Sequence, residues 1–376
     1  MPEKHVGLFF TRDVSLEAWE QGGMLAREVS LYERLVDRGW KVTFVTYGGR
    51  ADLEIGRQLD GIDVVCNSSG MPRALYRRLL IRLHSKALAR CSVFKSNQTL
   101  GADRAAAAGA RFGRPFVARS GYRWSEFSRH LRGDAAGEKA LRYEQRVFSA
   151  AHRIVVSTAA AGHQVSSRWP RLASRVTIIP NFVDTELFSP DNSVEPDRDV
   201  VYVGRLSEQK NVESLIQAAD IGGFGVRIIG DGNLREACEL QARTLGCDVE
   251  FAGRLPHTLL PSQLRLGRIF VLPSHYEGHP KTLLEAMACG CAVVGTRVPG
   301  IREVIRPGET GLLCGTEPTE IADAVTRLLN DGSLRSQLGG AARRAIVNDL
   351  SLTRIVEQEE NVLLELSAEH LEETRR

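Results

Sequence analysis

Glu277 and Glu285 have seven residues between them in the stretch His275-Tyr276-Glu277-Gly278-His279-Pro280-Lys281-Thr282-Leu283-Leu284-Glu285-Ala286-Met287-Ala288-Cys289-Gly290. The apolar run Ile269–Leu272 ahead of Pro273-Ser274 reads as a buried parallel strand. Behind it, Leu283, Leu284, Met287 and Ala288 recur at helical spacing after Pro280, a residue suited to the first helical position. The amides of Lys281, Thr282 and Leu283 then point out of a helix start, where the macrodipole is positive and an anion can sit. Glu277 just before the turn and Glu285 about one and a half turns into the helix flank that position, and a carboxylate accepts hydrogen bonds from neighbouring sugar hydroxyls. An ordinary strand-to-helix turn has the same amides and favours Glu in its first turn, so the segment alone leaves both readings open.

Arg205 and Lys210 belong to a second such turn, Gly204-Arg-Leu-Ser-Glu-Gln-Lys-Asn211, between the run Val200–Val203 and a helix carrying Val212, Leu215, Ile216 and Ala219. Arginine forks onto two oxygens and lysine adds a point charge, which suits a diphosphate; basic residues are also common in plain loops. Gly230-Asp-Gly232 lacks the third glycine and the early position of a dinucleotide fingerprint, so NAD is excluded. Asp197-Arg-Asp199 reads as a surface turn. The seven cysteines are scattered, and Cys289-Gly-Cys291 lacks zinc-pair spacing, so reduced thiols and no metal site are expected.

The elements that position these groups follow an α/β rhythm. Val6–Phe10, a helix with Leu25, Val29, Tyr32, Leu35 and Val36 on one stripe, and Lys41–Tyr47 form a βαβ unit with Gly22-Gly23 at its turn. Glycine lets a backbone approach a ligand closely, but two glycines alone are weak evidence and favour a plain loop. Strands ending near Ser96 and Ser120 bring Lys95, Asn97, Gln98, Arg119 and Tyr122 to strand C-termini, where open α/β sheets bind ligands. Pro72–Arg90 reads as a helix with Leu75, Tyr76, Leu79, Leu80, Leu83 and Ala87 on one arc and Arg78, Arg82 and Lys86 beside it. That face is either an ordinary solvated one or a membrane-surface element. Ser189–Pro196 reads as a linker.

Glu277 and Glu285, followed by Ala-Met-Ala-Cys-Gly290, resemble the E-x7-E signature of the retaining glycosyltransferases of family 4. Arg205 and Lys210 match that family's phosphate-binding pair, and Pro180-Asn181-Phe-Val-Asp184 its P-N-x-V-D segment at the domain junction. Val249–Leu255 is similar to the segment framing the nucleotide base, and Pro299–Glu303 to a G-x-x-E segment of structural character. The likeness is dense from 180 to 347 and fainter before it. It implies an α/β fold of two Rossmann-like doubly wound domains facing a cleft (GT-B). The acceptor-side domain is expected over 1–188 and the donor-side domain over 189–350, with a helix over 351–376 crossing back to the first. The implied reaction is retaining, metal-independent transfer from a UDP- or GDP-linked sugar to a glycan or lipid-linked acceptor in cell-surface polysaccharide or glycoconjugate synthesis, without a cofactor.

In that scheme Arg205, Lys210 and the amides of 281 to 283 neutralise the diphosphate, Glu285 holds the ribose and Glu277 the donor sugar. His279, Arg254 and Leu255 complete the donor side, and Gly22 and Gly23 approach the diphosphate and sugar. Many members place a histidine near Gly121 of this chain; its absence leaves Arg119 or Tyr122 to take that role.

Composition is that of a globular protein, with 43% hydrophobic and 25% charged residues over 376 positions. No run reaches the ~20 apolar residues that span a bilayer, and no signal peptide is read, so a cytoplasmic protein is expected, peripheral on the inner membrane face. Residues 1 to 190 hold 29 Lys+Arg against 18 Asp+Glu, the remainder 20 against 28, and no acid occurs between Asp63 and Asp103. This asymmetry speaks for an anionic partner of the first half, such as a membrane surface met by residues 72–95, with no nucleic acid expected. Two other classes stay open. A sugar-nucleotide epimerase shares the two-domain shape but has no need of the basic half; a non-catalytic binder of anionic glycans or membranes has no need of Arg205, Lys210, Glu277 and Glu285.

Overall fold

The structure, a computed structural model, describes residues 4–191 and 193–375, with side chains described to 370. Two compact units result, one running to Pro180 and taking in the chain from Ile355, the other Asn181–Arg354. The boundary expected at 188/189 therefore falls at 180/181, because Val183 and Phe188 belong to the second unit's core. The return at 350/351 likewise moves to 354/355, since Val183 and Ser351 form a β-bridge.

In the first unit β1 (His5–Phe9), β2 (Lys41–Val45), β3 (Ile62–Val65), β4 (Val93–Ser96), β5 (Phe116–Ser120), β6 (Arg153–Val156) and β7 (Val176–Ile178) form a parallel sheet in the order β3-β2-β1-β4-β5-β6-β7. In the second, β8 (Arg198–Val203), β9 (Val226–Ile229), β10 (Val249–Gly253), β11 (Gly267–Leu272), β12 (Ala292–Thr296) and β13 (Leu312–Cys314) follow the order β10-β9-β8-β11-β12-β13. These strands are short apolar runs because helices cover both faces of such a sheet. Register is carried by pairs such as Val6 with Val42 and Val93, and Ile269 with Val200 and Ala292. Each sheet reverses its order once, between β1 and β4 and between β8 and β11; those are the switch points where open α/β sheets place ligands.

The glycine pair does not stand in a strand-to-helix turn as expected. A helix Leu16–Gln21, capped by the Ser15 hydroxyl, precedes it, and Gly22 and Gly23 join that helix to Leu25–Asp37, with Gly23 at φ +67°. The helix expected over 72–90 is two, Arg73–Leu83 and Ser85–Leu88, broken at His84, whose ring meets the Tyr76 hydroxyl at 3.1 Å.

Lys95 and Arg119, expected near substrate, have a structural role instead. Along β4 side chains alternate between faces. Phe94 enters the aromatic core with Phe9 and Phe116, whereas Lys95 is fully buried on the opposite face, 5.6 Å over the Tyr32 ring. There its Nζ donates to Glu359 at 2.7 Å, and Arg119 donates to the same carboxylate at 3.2 Å. Glu359 lies on the C-terminal helix Leu352–Arg375, whose Ile355, Val356, Val362, Leu363 and Leu366 are buried. Next to it, Glu360 accepts from Trp40, Lys4 and Arg38.

Candidate active site

The second unit's switch point gathers the residues that sequence spacing singled out. From β8 the chain enters the loop holding Arg205, whose side chain is exposed and whose carbonyl accepts from the Tyr202 hydroxyl at 3.0 Å. Burial first, and then the charge of Glu277, push that hydroxyl well above its ordinary pKa, so it stays a neutral donor. Behind the loop, a Cβ at Gly232 would lie 2.7 Å from the Leu206 nitrogen and closer still to its carbonyl oxygen. The glycines of 230–232 thus serve close backbone approach to the Arg205 loop. Asn211, at φ +53°, ends a 3-10 turn and donates from Nδ2 to the carbonyls of Pro273 and Thr316, both at 3.0 Å.

Two further bonds zip this loop to the one leaving β11: His275 N–H to the Gln209 carbonyl at 2.9 Å, and Gln209 Nε2 to the Tyr276 carbonyl at 2.9 Å. The result is an ion pair between Lys210 and Glu277, while Ser274 Oγ donates to the same Glu277 oxygen at 2.8 Å. Ser274 is itself fixed through its carbonyl by Thr296 Oγ1 at 2.6 Å.

The following helix runs Lys281–Ala288, so Pro280, expected at the first helical position, stands one residue earlier as the cap. Leu283 through Ala288 are buried, so Leu283 can offer a ligand only its backbone. First-turn amides of a helix lack intrahelical partners. Glu285 is 2% exposed, and its Oε1 lies 2.8 Å from His257 Nε2. His257 follows the exposed Arg254 and half-buried Leu255 beyond β10, packs at 5.0 Å against Phe188, and has no hydrogen-bond partner at Nδ1 among the described residues. Sequence reasoning missed it; the only signal was its place three residues beyond Arg254. His279 is buried and held by Asn181, whose Nδ2 donates to its carbonyl at 2.7 Å and whose N–H donates to its Nδ1 at 3.3 Å. Lys281 carries its Nζ 5.8 Å over the Phe182 ring, and Thr282 is half-buried.

In the first unit Asn97 is half-buried beyond β4, and Gln98 accepts from the Gly121 N–H at 2.9 Å. Tyr122 packs its ring on Phe127 with centroids 4.6 Å apart. Leu75 and Leu83 stay exposed, beside exposed Arg78, Arg82 and Lys86. Asp197 takes a two-pronged bond from Arg227, both prongs at 3.0 Å, and Asp199 accepts from Gly225, so that triplet is structural. Among the described residues no group of His, Cys, Asp or Glu is arranged to hold a metal, and no helix is long and apolar enough to cross a membrane.

Comparison with known proteins bears on the family and the fold. Residues 22–187 match the model of Glycosyltransferase Family 4, and residues 183–345 that of Glycosyl transferases group 1. A D-inositol 3-phosphate glycosyltransferase of Acidothermus cellulolyticus is 30% identical over 54% of this chain and 51% of its own length. An alpha-D-kanosaminyltransferase of Streptomyces kanamyceticus is 38% identical over 37% of this chain and 38% of its own. The chain thus spans about half or less of the length of these relatives. The fold of Anabaena HepE, solved with UDP and glucose, superposes with a TM-score of 0.79 at 18% identity, covering 96% of this chain and 99% of that one. With two family models joined across residues 22–345 and two parallel α/β sheets of matching topology, the chain belongs to the family 4 glycosyltransferases and has their GT-B fold.

Proposed function

We propose that the protein is a retaining, metal-independent glycosyltransferase that moves a sugar from a UDP- or GDP-linked donor to a glycan or lipid-linked acceptor in cell-surface polysaccharide or glycoconjugate synthesis. The observation that carries this reading is the pairing of Lys210 with Glu277 at a switch point that also holds Arg205 and a helix start. Two cations and a set of backbone dipoles around one position supply the charge a leaving diphosphate needs. Glu277 then faces the sugar and Glu285 the ribose, as the E-x7-E resemblance implies. In the transfer itself the bond from the anomeric carbon to the diphosphate oxygen breaks and one to the acceptor oxygen forms on the same face. The acceptor's proton passes to a phosphate oxygen, and no side chain acts as nucleophile.

HepE's UDP and glucose make UDP-glucose the first donor to test. A lipid-linked acceptor at an anionic membrane is supported by the basic helix Arg73–Leu83 with exposed Leu75 and Leu83. The test is incubation with UDP- and GDP-sugars and no acceptor, with and without EDTA. Slow, chelator-insensitive hydrolysis that K210A and E277A abolish is expected. An epimerised sugar nucleotide, activity that only a divalent metal restores, or wild-type turnover by K210A or E277A overturns the reading.

A further inference from the structure

The reversal of order in the first sheet, between β1 and β4, has a polar cluster of its own. Arg12 follows β1, Tyr47 follows β2, and Thr99, Asp103 and Arg104 follow β4. Backbone contacts hold these segments together. The Arg12 N–H donates to the Leu100 carbonyl at 3.1 Å, and the Tyr47 N–H to the Val14 carbonyl at 3.2 Å. Gly101 takes φ +103° where a Cβ would come 2.8 Å from the Arg12 nitrogen and 2.9 Å from the Phe10 oxygen.

Asp103 is committed within the cluster. It accepts from the Tyr143 hydroxyl at 2.6 Å, from Arg12 Nη2 at 3.2 Å and from Arg104 Nε at 3.1 Å. One carboxylate therefore faces two guanidiniums and leaves a net positive charge. Arg12 stacks 5.5 Å over the Tyr143 ring, and the side chains of Arg12 and Arg104 remain 27% and 28% exposed. Among the described residues Arg12 Nε, the Tyr47 hydroxyl and the Thr99 hydroxyl are buried without a hydrogen-bond partner. Tyr47 is only 5% exposed and Thr99 only 2%. Buried polar groups are nearly always satisfied, so three orphans on the loops that leave three neighbouring strands mark a place built for something else to fill. Arg104 Nη1 donates to the Arg77 carbonyl at 3.5 Å, which joins the helix Arg73–Leu83 to the cluster.

We propose that this cluster is an oxyanion site, in which the Arg12 guanidinium and the Tyr47 and Thr99 hydroxyls take a phosphate or carboxylate group carried by the acceptor. That the oxyanion belongs to an acceptor rests on the glycosyltransferase reading; the binding of an oxyanion does not. Arginine offers a fork to two oxygens, and hydroxyl donors complete the shell of a tetrahedral or planar anion.

The test titrates the 376-residue chain with inorganic phosphate, and separately with acetate, at fixed ionic strength, followed by calorimetry and melting temperature. The variants are R12Q, Y47F, R205Q and, as a charge-matched control at an exposed position of the second unit, R327Q. Phosphate is expected to raise the melting temperature of the wild type. Its affinity should fall roughly tenfold in R12Q and about threefold in Y47F, as loss of a charged and a neutral hydrogen bond predicts. R327Q should leave it unchanged, and R205Q should remove a separate component. Tighter binding of phosphate than of acetate assigns a phosphoryl group, and the reverse a carboxylate. Should R12Q fold poorly, Y47F, which loses only the hydroxyl, carries the test. No binding of either anion to the wild type, or effects of R12Q and Y47F no larger than that of R327Q, overturns the proposal. A wild type that binds phosphate here but hydrolyses no sugar nucleotide sinks the glycosyltransferase reading and leaves the oxyanion site standing.

Discussion

His257 Nε2 lies 2.8 Å from Oε1 of Glu285, with both side chains sealed from solvent and the imidazole packed on Phe188. This fixes the carboxylate proposed to hold the ribose. A hydrogen bond to a charged group contributes about 1.5–3 kcal/mol. H257A is therefore expected to weaken nucleoside diphosphate binding about tenfold by calorimetry, with H257Q recovering part of it. In a double-mutant cycle, E285A with H257A should cost less than the sum of the two. Strict additivity dissociates His257 from Glu285.

Ser274 and Gly300 act on Glu277 from two sides. Ser274 donates to its carboxylate, and a Cβ on Gly300 would lie 2.6 Å from the Glu277 carbonyl oxygen and closer still to that of Gly278. Both obstacles are backbone and cannot swing aside. G300A should then lower kcat/KM at least tenfold, about 1.4 kcal/mol of barrier, while S274A should cost less. Circular dichroism should show both variants folded; a fully active G300A contradicts the placement of this loop.

Glu359 between Lys95 and Arg119 ties the C-terminal helix to the first sheet. Removing one partner of a buried pair costs about 3–5 kcal/mol, so E359A should lose most of that in urea unfolding, and K95M with E359M should recover much of it. Burial raises the Glu359 pKa, but Lys95 and Arg119 outweigh it and hold the carboxyl below its ordinary value. The stability this contributes is present above the unfolded pKa, about 4.3, and is lost as pH falls through the lower folded value. E359Q should flatten the acid side of the stability curve; an unchanged acid limb rules this pair out as its cause.

Leu75, Arg78, Arg82 and Leu83 are exposed on Arg73–Leu83, and Lys86 is exposed on the short helix after His84. Each basic residue near an anionic surface contributes about 1 kcal/mol. Cosedimentation with phosphatidylserine vesicles should fall at least a hundredfold for R78E/R82E/K86E and weaken with salt. Equal sedimentation of this triple variant and the wild type excludes the helix as a membrane contact.

Sequence by itself determined the alternation of strands and helices, the two loops with Arg205, Lys210, Glu277 and Glu285, and the basic bias of the first half. These are local signals: an apolar run into a proline, a helical period and a charge count need no knowledge of what lies across the fold. Tertiary structure alone decided where charges find partners. Lys95 and Arg119 looked like ligand contacts because each stands at a strand end, yet Glu359, far along the chain, claims them. His257 was invisible because its role depends on a 2.8 Å approach to a helix 28 residues away. Arg12, Tyr47 and Thr99 come from three segments that meet only because the strand order reverses between β1 and β4. Pairing across long sequence separation is set by sheet order and packing, and no local spacing encodes it.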